Sequence, residues 1–272
     1  MQPEDLLTPE SRTFLRDRID ACAAAAQARF RDAVIPIYGA NENGRPEHIG
    51  SAVLLKVNGR KVILTAAHVA DENKVTTLYA PGRPKSPERL GELIEIKDLF
   101  EATKAPQSDR ARDRFDFAYC GLSDELSQAI VGRFIDEHEV ATSAVVEEGR
   151  LYTALGYPNS KNSKHNPLTR SVHPTLLPYS NVHKVDKAVA ASLPCGGQRH
   201  IFLPYGKRSR SNGQIVNSVQ LRGMSGGAVI DSGAAPIPLL AGITIERREK
   251  RVLIATRMST IMPSLQSAFP AA

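Results

Sequence analysis

The sequence has no tryptophan and only three cysteines among its 272 residues. Cys22, Cys120 and Cys195 are an odd, widely spaced set without a CxxC pair, so neither a disulfide framework nor a zinc site is expected. Long apolar runs are missing too. Segments such as 236–245 fall far short of the roughly 20 apolar residues that a bilayer-spanning helix requires. The first residues, MQPEDLLTPESRTFLRDR, show no basic start followed by an apolar stretch, so no secretory signal is visible and a cytoplasmic location is the expectation. No biased tract and no repeat of fixed period occurs. With 42% hydrophobic and 24% charged residues, the composition is that of an ordinary globular chain. Fibrous, collagenous and membrane-spanning classes are excluded, and no membrane partner is expected.

Charge is unevenly spread. Residues 150–272 hold 16 basic and 4 acidic side chains, a net of +12, whereas residues 1–149 hold 19 and 25, a net of −6; together these make the overall +6. Such a split helps two halves associate or steers an acidic partner. No stacking aromatics interleave the basic positions, so nucleic-acid binding is not expected. The basic loops around 159–165 and 207–210 read as solvated surface. The histidines at 48, 68, 138, 165, 173, 183 and 200 lack metal-ligand spacing with acids or cysteines, and no metal or cofactor is expected.

The chain opens with a helix: Thr8 is the N-cap, Pro9 the tolerated first-turn proline, and Phe14, Leu15, Ile19, Cys22 and Ala23–Ala26 form an apolar stripe to about Phe30. Short strands follow at Ala33–Tyr38, Gly50–Val57, Lys61–Ala66 and Val75–Tyr79, with LLKVNGRKVIL a strong hairpin signal. Asp116–Leu122 is the next strand and Ser123–Phe134 a helix capped by Ser123. A second series covers Leu151–Gly156, Val172–Leu177, His200–Pro204, Gln214–Leu221, Ala228–Asp231, Leu239–Ile245 and Val252–Thr256, before a closing helix at Ser259–Phe269. Two runs of short strands flanked by helices suggest two antiparallel barrels.

Three local sequences carry chemistry: Leu64-Thr-Ala-Ala-His68-Val, Phe115-Asp116-Phe117-Ala118, and Arg222-Gly223-Met224-Ser225-Gly226-Gly227. A serine hydroxyl is a weak nucleophile until an imidazole takes its proton, and the imidazole needs a carboxylate to fix its tautomer. Ala66 and Ala67 allow close packing behind His68. The glycines remove Cβ atoms where a tight turn must aim backbone N–H groups at a developing oxyanion, with the amides of Gly223 and Ser225 as the expected donors. GMSGG also fits the nucleophile elbow of α/β-hydrolases, but that fold orders its triad serine, acid, histidine, and no histidine follows Ser225. The order acid, histidine, serine would need Asp32 or Glu47, neither of which lies in a suitable motif.

TAAHV, DFA and GMSGGA, in that order, resemble the chymotrypsin-like (trypsin-fold) serine peptidases, closest in style to bacterial HtrA-like stand-alone protease domains, over about residues 31–258. The resemblance implies an all-β fold of two antiparallel six-stranded barrels, with an added N-terminal helix and a C-terminal helix. Residues 1–30 would be the helical extension, 31–135 the barrel carrying His68 and Asp116, 136–258 the barrel carrying Ser225, and 259–272 the last helix. It implies His68 as general base and then acid, Asp116 as orienting carboxylate and Ser225 as the acylated nucleophile. It further implies a specificity pocket with Val219 at its base, Thr244 or Ile245 where the family often has a serine supporting the acid, and Arg257 on the far wall. No PDZ-like module follows Ser225, unlike HtrA machines. The expected function is a serine endopeptidase acting on a protein or peptide substrate, specifically an intracellular protein partner. The alternative is a latent or inactive trypsin-fold binding module that a regulatory protein partner must activate; an esterase using the same three residues is a third reading.

Overall fold

Helix α1 (Pro9–Phe30) starts as its sequence requires, with Thr8 Oγ1 accepting from Ser11 N and Pro9 in the first turn. The architecture is taken from a computed structural model, which describes residues 8–83, 92–96, 99–104, 109–110, 113–143, 148–162, 165–166, 171–193, 198–206, 208–211, 214–218, 221–233, 237–248 and 252–271. The expected apolar stripe of α1 is not buried along its length. Phe14 is 65% exposed, and Leu15 and Ile19 are exposed as well, while Ala26 and Phe30 are fully buried. Arg16, Asp17, Arg18 and Asp20 interleave the first apolar positions, so only the last turns join the core, against the second sheet described below.

The first sheet is built from β1 (Val34–Ala40), β2 (Pro46–Val57), β3 (Arg60–Ala66), β4 (Tyr79–Pro81), β5 (Leu93–Glu95), β6 (Glu101–Ala102) and β7 (Phe117–Gly121), in the order β5-β4-β1-β2-β3-β7-β6. Its pairings are antiparallel. The β2–β3 hairpin turns at Asn58 and Gly59, with φ of 47° and 83°. Positive φ at both central residues is the signature of a type I′ turn, whose twist matches that of the strands. Between β3 and β4 lies the short helix α2 (Ala67–Asp71). The strand expected over Val75–Tyr79 is not formed. Instead Val75 and Thr76 donate back to Glu72 O, Val75 is exposed, and the strand begins only at Tyr79. After β7, Ser123 caps α3 (Asp124–Ala129) as expected, but the helix ends five residues early: Ile130 leaves it to bridge Gly82, and Ile135, just past the expected end, bridges Leu55.

The second sheet contains β8 (Leu151–Gly156), β11 (Leu177–Val182), β12 (His200–Pro204), β15 (Ala228–Asp231), β16 (Leu239–Arg248) and β17 (Val252–Arg257), in the order β11-β8-β15-β16-β17-β12. Two ribbons lie outside it, β9 (His165–Asn166) with β10 (Ser171–Val172), and β13 (Arg208–Ser211) with β14 (Gln214–Asn217). The expected strand Val172–Leu177 is split between β10 and β11; Pro174, which cannot donate to a ladder, lies between them. Likewise β14 stops at Asn217, short of Leu221. Helices α4 (Asn159–Asn162), α5 (Lys187–Ala191) and α6 (Met258–Ala268) complete the described elements.

The second sheet curls into a half-barrel: Tyr179 Oη and Asn181 Nδ2 of β11 donate to Pro204 O of β12 at 2.5 and 2.7 Å. Among the described residues the first sheet has seven strands and is not closed, so the expectation of two six-stranded barrels holds only as two antiparallel sheets, one of them curled. Its edges, β5 and β6, are three and two residues long, and they do not pair with each other among the described residues. The chain is therefore mostly β, with two antiparallel sheets of seven and six strands, compatible with a trypsin-like double barrel.

One buried cluster joins the sheets, containing Val53, Leu55 and Leu64 from the first and Leu155, Ile230, Ile243 and Ile254 from the second. Helix α6 leaves β17 of the second sheet and ends on the first. There Asn58 Nδ2 donates to Phe269 O at 2.8 Å, and the Phe269 ring meets Tyr119 edge-on at 5.8 Å. The two sheets thus share a core and are strapped together, which fixes the junction where the candidate residues lie.

Candidate active site

Strand β3 runs out at Ala66, and the first turn of α2 carries His68. Ala66 and Ala67 are both fully buried, as close packing behind the histidine requires. Asp116, on the approach to β7, holds His68 in two places: His68 N donates to Oδ1 at 2.9 Å, and Nδ1 meets Oδ2 at 2.6 Å. Its main chain joins in, with Ala67 N donating to Asp116 O at 2.9 Å. The carboxylate can only accept, so the Nδ1 proton sits in this bond, the tautomer in which Nε2 can act as a base. The imidazole side chain is 41% exposed and the carboxylate 11%, so the base faces outward over a buried acid. Burial pushes the Asp116 carboxyl above its ordinary range against the opposing pull of His68, and Asp113 adds to the rise. Asp116 also has φ of 43°, a left-handed conformation that aspartate tolerates better than most residues and that the surrounding bonds must hold.

Arg110 staples this pair from behind. Its Nε donates to Asp71 at the end of α2 at 2.6 Å, and its Nη1 to Asp113 at 2.5 Å and Thr103 O at 2.7 Å. Asp113 in turn accepts from Phe115 N at 3.1 Å, next to Asp116. One guanidinium thereby ties the helix that bears His68 to the segment that bears Asp116.

The serine loop consists of two successive turns. Met224 N donates to Leu221 O at 3.0 Å with Gly223 at φ 92°, and Gly227 N donates to Met224 O at 2.9 Å with Gly226 at φ 84°. Neither Arg222 nor Ser225 has positive φ, so both are type II turns, with glycine at the third position and Ser225 at the second position of the later one. A Cβ on Gly226 would fall 2.0 Å from Ser51 O and 2.3 Å from Thr65 Oγ1. Only glycine allows this approach, and it brings the loop against the end of β3, two residues before Ala67-His68. Ser225 is held to the neighbouring strand β2 by Ser51 N, which donates to its carbonyl at 2.8 Å.

Every carbonyl of the segment 222–225 is engaged. Arg222 O accepts from Asn159 N at 2.8 Å, and Gly223 O from Ser51 Oγ at 2.9 Å. Met224 O accepts from Gly227 N and the Thr244 hydroxyl, and Ser225 O from Ser51 N. The amides of Met224, Gly226 and Gly227 are satisfied by Leu221 O, Thr244 O and Met224 O. Among the described residues, the amides of Gly223 and Ser225 have no acceptor. Buried backbone donors are nearly always paired, so two free ones on alternate residues of a glycine turn form a ready cradle for an oxyanion.

The expected pocket residues fare differently. Val219 lies outside the described residues. Thr244 is buried and its hydroxyl bonds Met224 O and, at 3.3 Å, Gly227 O, so it braces the serine loop and does not support Asp116. The hydroxyl next to the acid belongs instead to Thr256, which donates to Phe115 O at 2.6 Å. Ile245 is packed in the joint core. Arg257 is 5% exposed, and its guanidinium donates to Gln198 O at 2.8 Å and Ser143 O at 2.7 Å, so it anchors two loops.

Sequence reasoning missed Ser51, Asn159, His48 and Arg110. Ser51 carried one signal, a lone hydroxyl in the apolar strand that follows His48-Ile-Gly; the others had none locally. A hollow of about 560 Å³ opens beside the loop, lined by His48, Asn159, Arg222, Thr76, Glu42 and Glu72 among others. Among the described residues no three His, Cys, Asp or Glu side chains are grouped to hold a metal ion, and no described helix is long and apolar enough to cross a membrane. Cys22 is half-buried and Cys120 buried. No protein-family model matches the sequence, and a search of curated proteins finds no significant match.

Proposed function

We propose that the protein is a serine endopeptidase working through His68, Asp116 and Ser225. The observation that carries this reading is the pair of acceptor-free amides at Gly223 and Ser225, in a loop packed against the strand that leads into the Asp116-bound His68. His68 Nε2 takes the Ser225 hydroxyl proton as Oγ attacks the peptide carbonyl, and the oxyanion settles on the two amides. Collapse of this intermediate expels the amine, which receives the proton from His68. Water then attacks the acyl-enzyme by the same route, regenerating Ser225. Asp116 keeps the proton on Nδ1 and stabilises the imidazolium. Removing one oxyanion donor in such sites costs about 10²–10³ in rate.

The rival reading, a latent module awaiting a partner, predicts a collapsed loop in which a carbonyl occupies the oxyanion position. Here the four carbonyls of residues 222–225 are tied to other partners, which favours a competent site. The substrate is proposed to be a protein of the same compartment, met in the cleft between the sheets. Labelling with a fluorophosphonate probe tests the reading. Wild type is expected to label, and Ser225→Ala and His68→Ala are not; a folded wild type that fails to label overturns it. Peptide and ester substrates assayed in parallel separate a peptidase from an esterase.

A further inference from the structure

The Arg222–Gly223 peptide has two low-energy orientations. In the type II turn found here its carbonyl points one way and its N–H the other; a type I turn with the same end-to-end bond rotates it by roughly 180°. Rotation would aim the carbonyl where an oxyanion has to bind. Something must therefore choose between the two turns.

Two residues far away in sequence meet this peptide. Asn159, at the start of α4, donates its backbone N–H to Arg222 O at 2.8 Å. Its side-chain Oδ1 accepts from His48 Nδ1 at 2.7 Å. His48, in β2, is 3% exposed and packs edge-on against Tyr38 at 5.4 Å. The pair also closes on Gly223 itself: a Cβ there would fall 1.9 Å from Asn159 Oδ1 and 2.8 Å from His48 Cε1. A buried imidazole thus locks the Asn159 side chain, Asn159 holds the Arg222 carbonyl, and both press on the glycine whose positive φ defines the turn.

We propose that His48 and Asn159 are positioning residues that hold the Arg222–Gly223 peptide with its N–H toward the oxyanion site, so that the site is assembled from within the chain without an activating cleavage or partner. This rests on the serine-peptidase reading for its catalytic consequence but not for its structural one. Ser51 backs the same arrangement by donating to Gly223 O while accepting from Tyr157 N at 2.9 Å.

The test compares wild type with His48→Phe, Asn159→Ala and His48→Asn, the last keeping an N–H donor near the place of Nδ1. Crystal structures should show the Arg222–Gly223 peptide rotated and Gly223 φ negative in the first two variants, and the wild-type turn in His48→Asn. On a peptide substrate, kcat should fall about 10²-fold in the first two with KM within about threefold, and recover in the third. A role in folding alone would lower thermal stability and leave both the turn and kcat unchanged. If His48→Phe does not fold, Asn159→Ala, at a half-buried position, carries the comparison. Variants that keep the positive φ and the wild-type kcat overturn the proposal. Rotated peptides in variants of a wild type that never labels with fluorophosphonate uphold the clamp and defeat the peptidase reading, so the two failures are distinguishable.

Discussion

His48 should make the fold acid-sensitive, and the effect can be sized. Burial lowers its pKa to about 4 from 6.5, against the opposing bond to Asn159. A histidine that binds protons less readily when folded contributes stability that is fully present above the unfolded value and is lost as pH falls toward the folded one. A gap of about 2.5 units at 1.36 kcal/mol each is worth about 3 kcal/mol in full, and about 2.5 kcal/mol has gone by about pH 4.5. That is a large part of the stability of an ordinary domain. Other groups respond over the same range: His183 is also held below its ordinary value by burial, and Glu139 and Asp71 by their arginine partners. They are common to wild type and His48→Phe, so the difference between the two proteins isolates His48. Urea denaturation of both at pH 7 and about pH 4.5, followed by tyrosine fluorescence and far-UV circular dichroism, gives that difference directly. Wild type should lose about 2.5 kcal/mol more than the variant on acidification. A difference that stays within about 0.5 kcal/mol at both pH values refutes the reasoning.

Under the proposed mechanism, Asp116→Asn should lower kcat by about 10⁴ by allowing the wrong imidazole tautomer, as the same change does in serine peptidases. Because burial raises the Asp116 pKa, its charge costs stability above that pKa, and the neutral variant should be at least as stable at pH 7 by chemical denaturation. A loss of activity below tenfold would count against the assigned role. Gly226→Ala places a methyl 2.0 Å from Ser51 O at φ 84°, so it should cost more than about 2 kcal/mol and abolish fluorophosphonate labelling; a stable, labelled variant would refute the described loop. Arg110→Met leaves Asp71 and Asp113 without their shared cation. It should lower stability at pH 7 by about 1 kcal/mol, reduced by the partial exposure of the site, and by less once the pH falls through the lowered pKa of Asp71. An unchanged melting temperature would show the staple to be energetically silent.

What could be read from the sequence is local. The β2–β3 hairpin follows from Asn58-Gly59, the cap of α1 from Thr8 and Pro9, and the serine loop from two glycines at the third position of two turns. Expectations failed where distant contacts decide. Val75 belongs to a β-branched run, yet the end of α2 turns the chain there before a strand can start. The residues 123–134 read as one helix, but Ile130 is taken for a bridge to Gly82 beside the first sheet, and the chain runs on to a second bridge at Ile135. The apolar face of α1 has the right spacing and no surface to meet until Ala26.

The candidate site divides in the same way. His68, Asp116 and Ser225 stand in short motifs, because each sits next to the end or the start of a strand, His68 and Ser225 among small neighbours that close packing requires. The groups that orient the serine loop come from 172, 111 and 106 residues away along the contacts Ser51–Gly223, His48–Asn159 and Ser51–Tyr157. None of these is visible as a motif, since each is an ordinary polar residue until the two sheets meet. Their shared property is topological. Strand β2 delivers His48 and Ser51 from the first sheet, and the segment after β8 delivers Tyr157 and Asn159 from the second, so the Gly223 peptide is gripped only when both sheets are packed. Loss of the inter-sheet core should therefore disorder the turn at Gly223 before it separates His68 from Asp116, which both belong to the first sheet and its flanking segments.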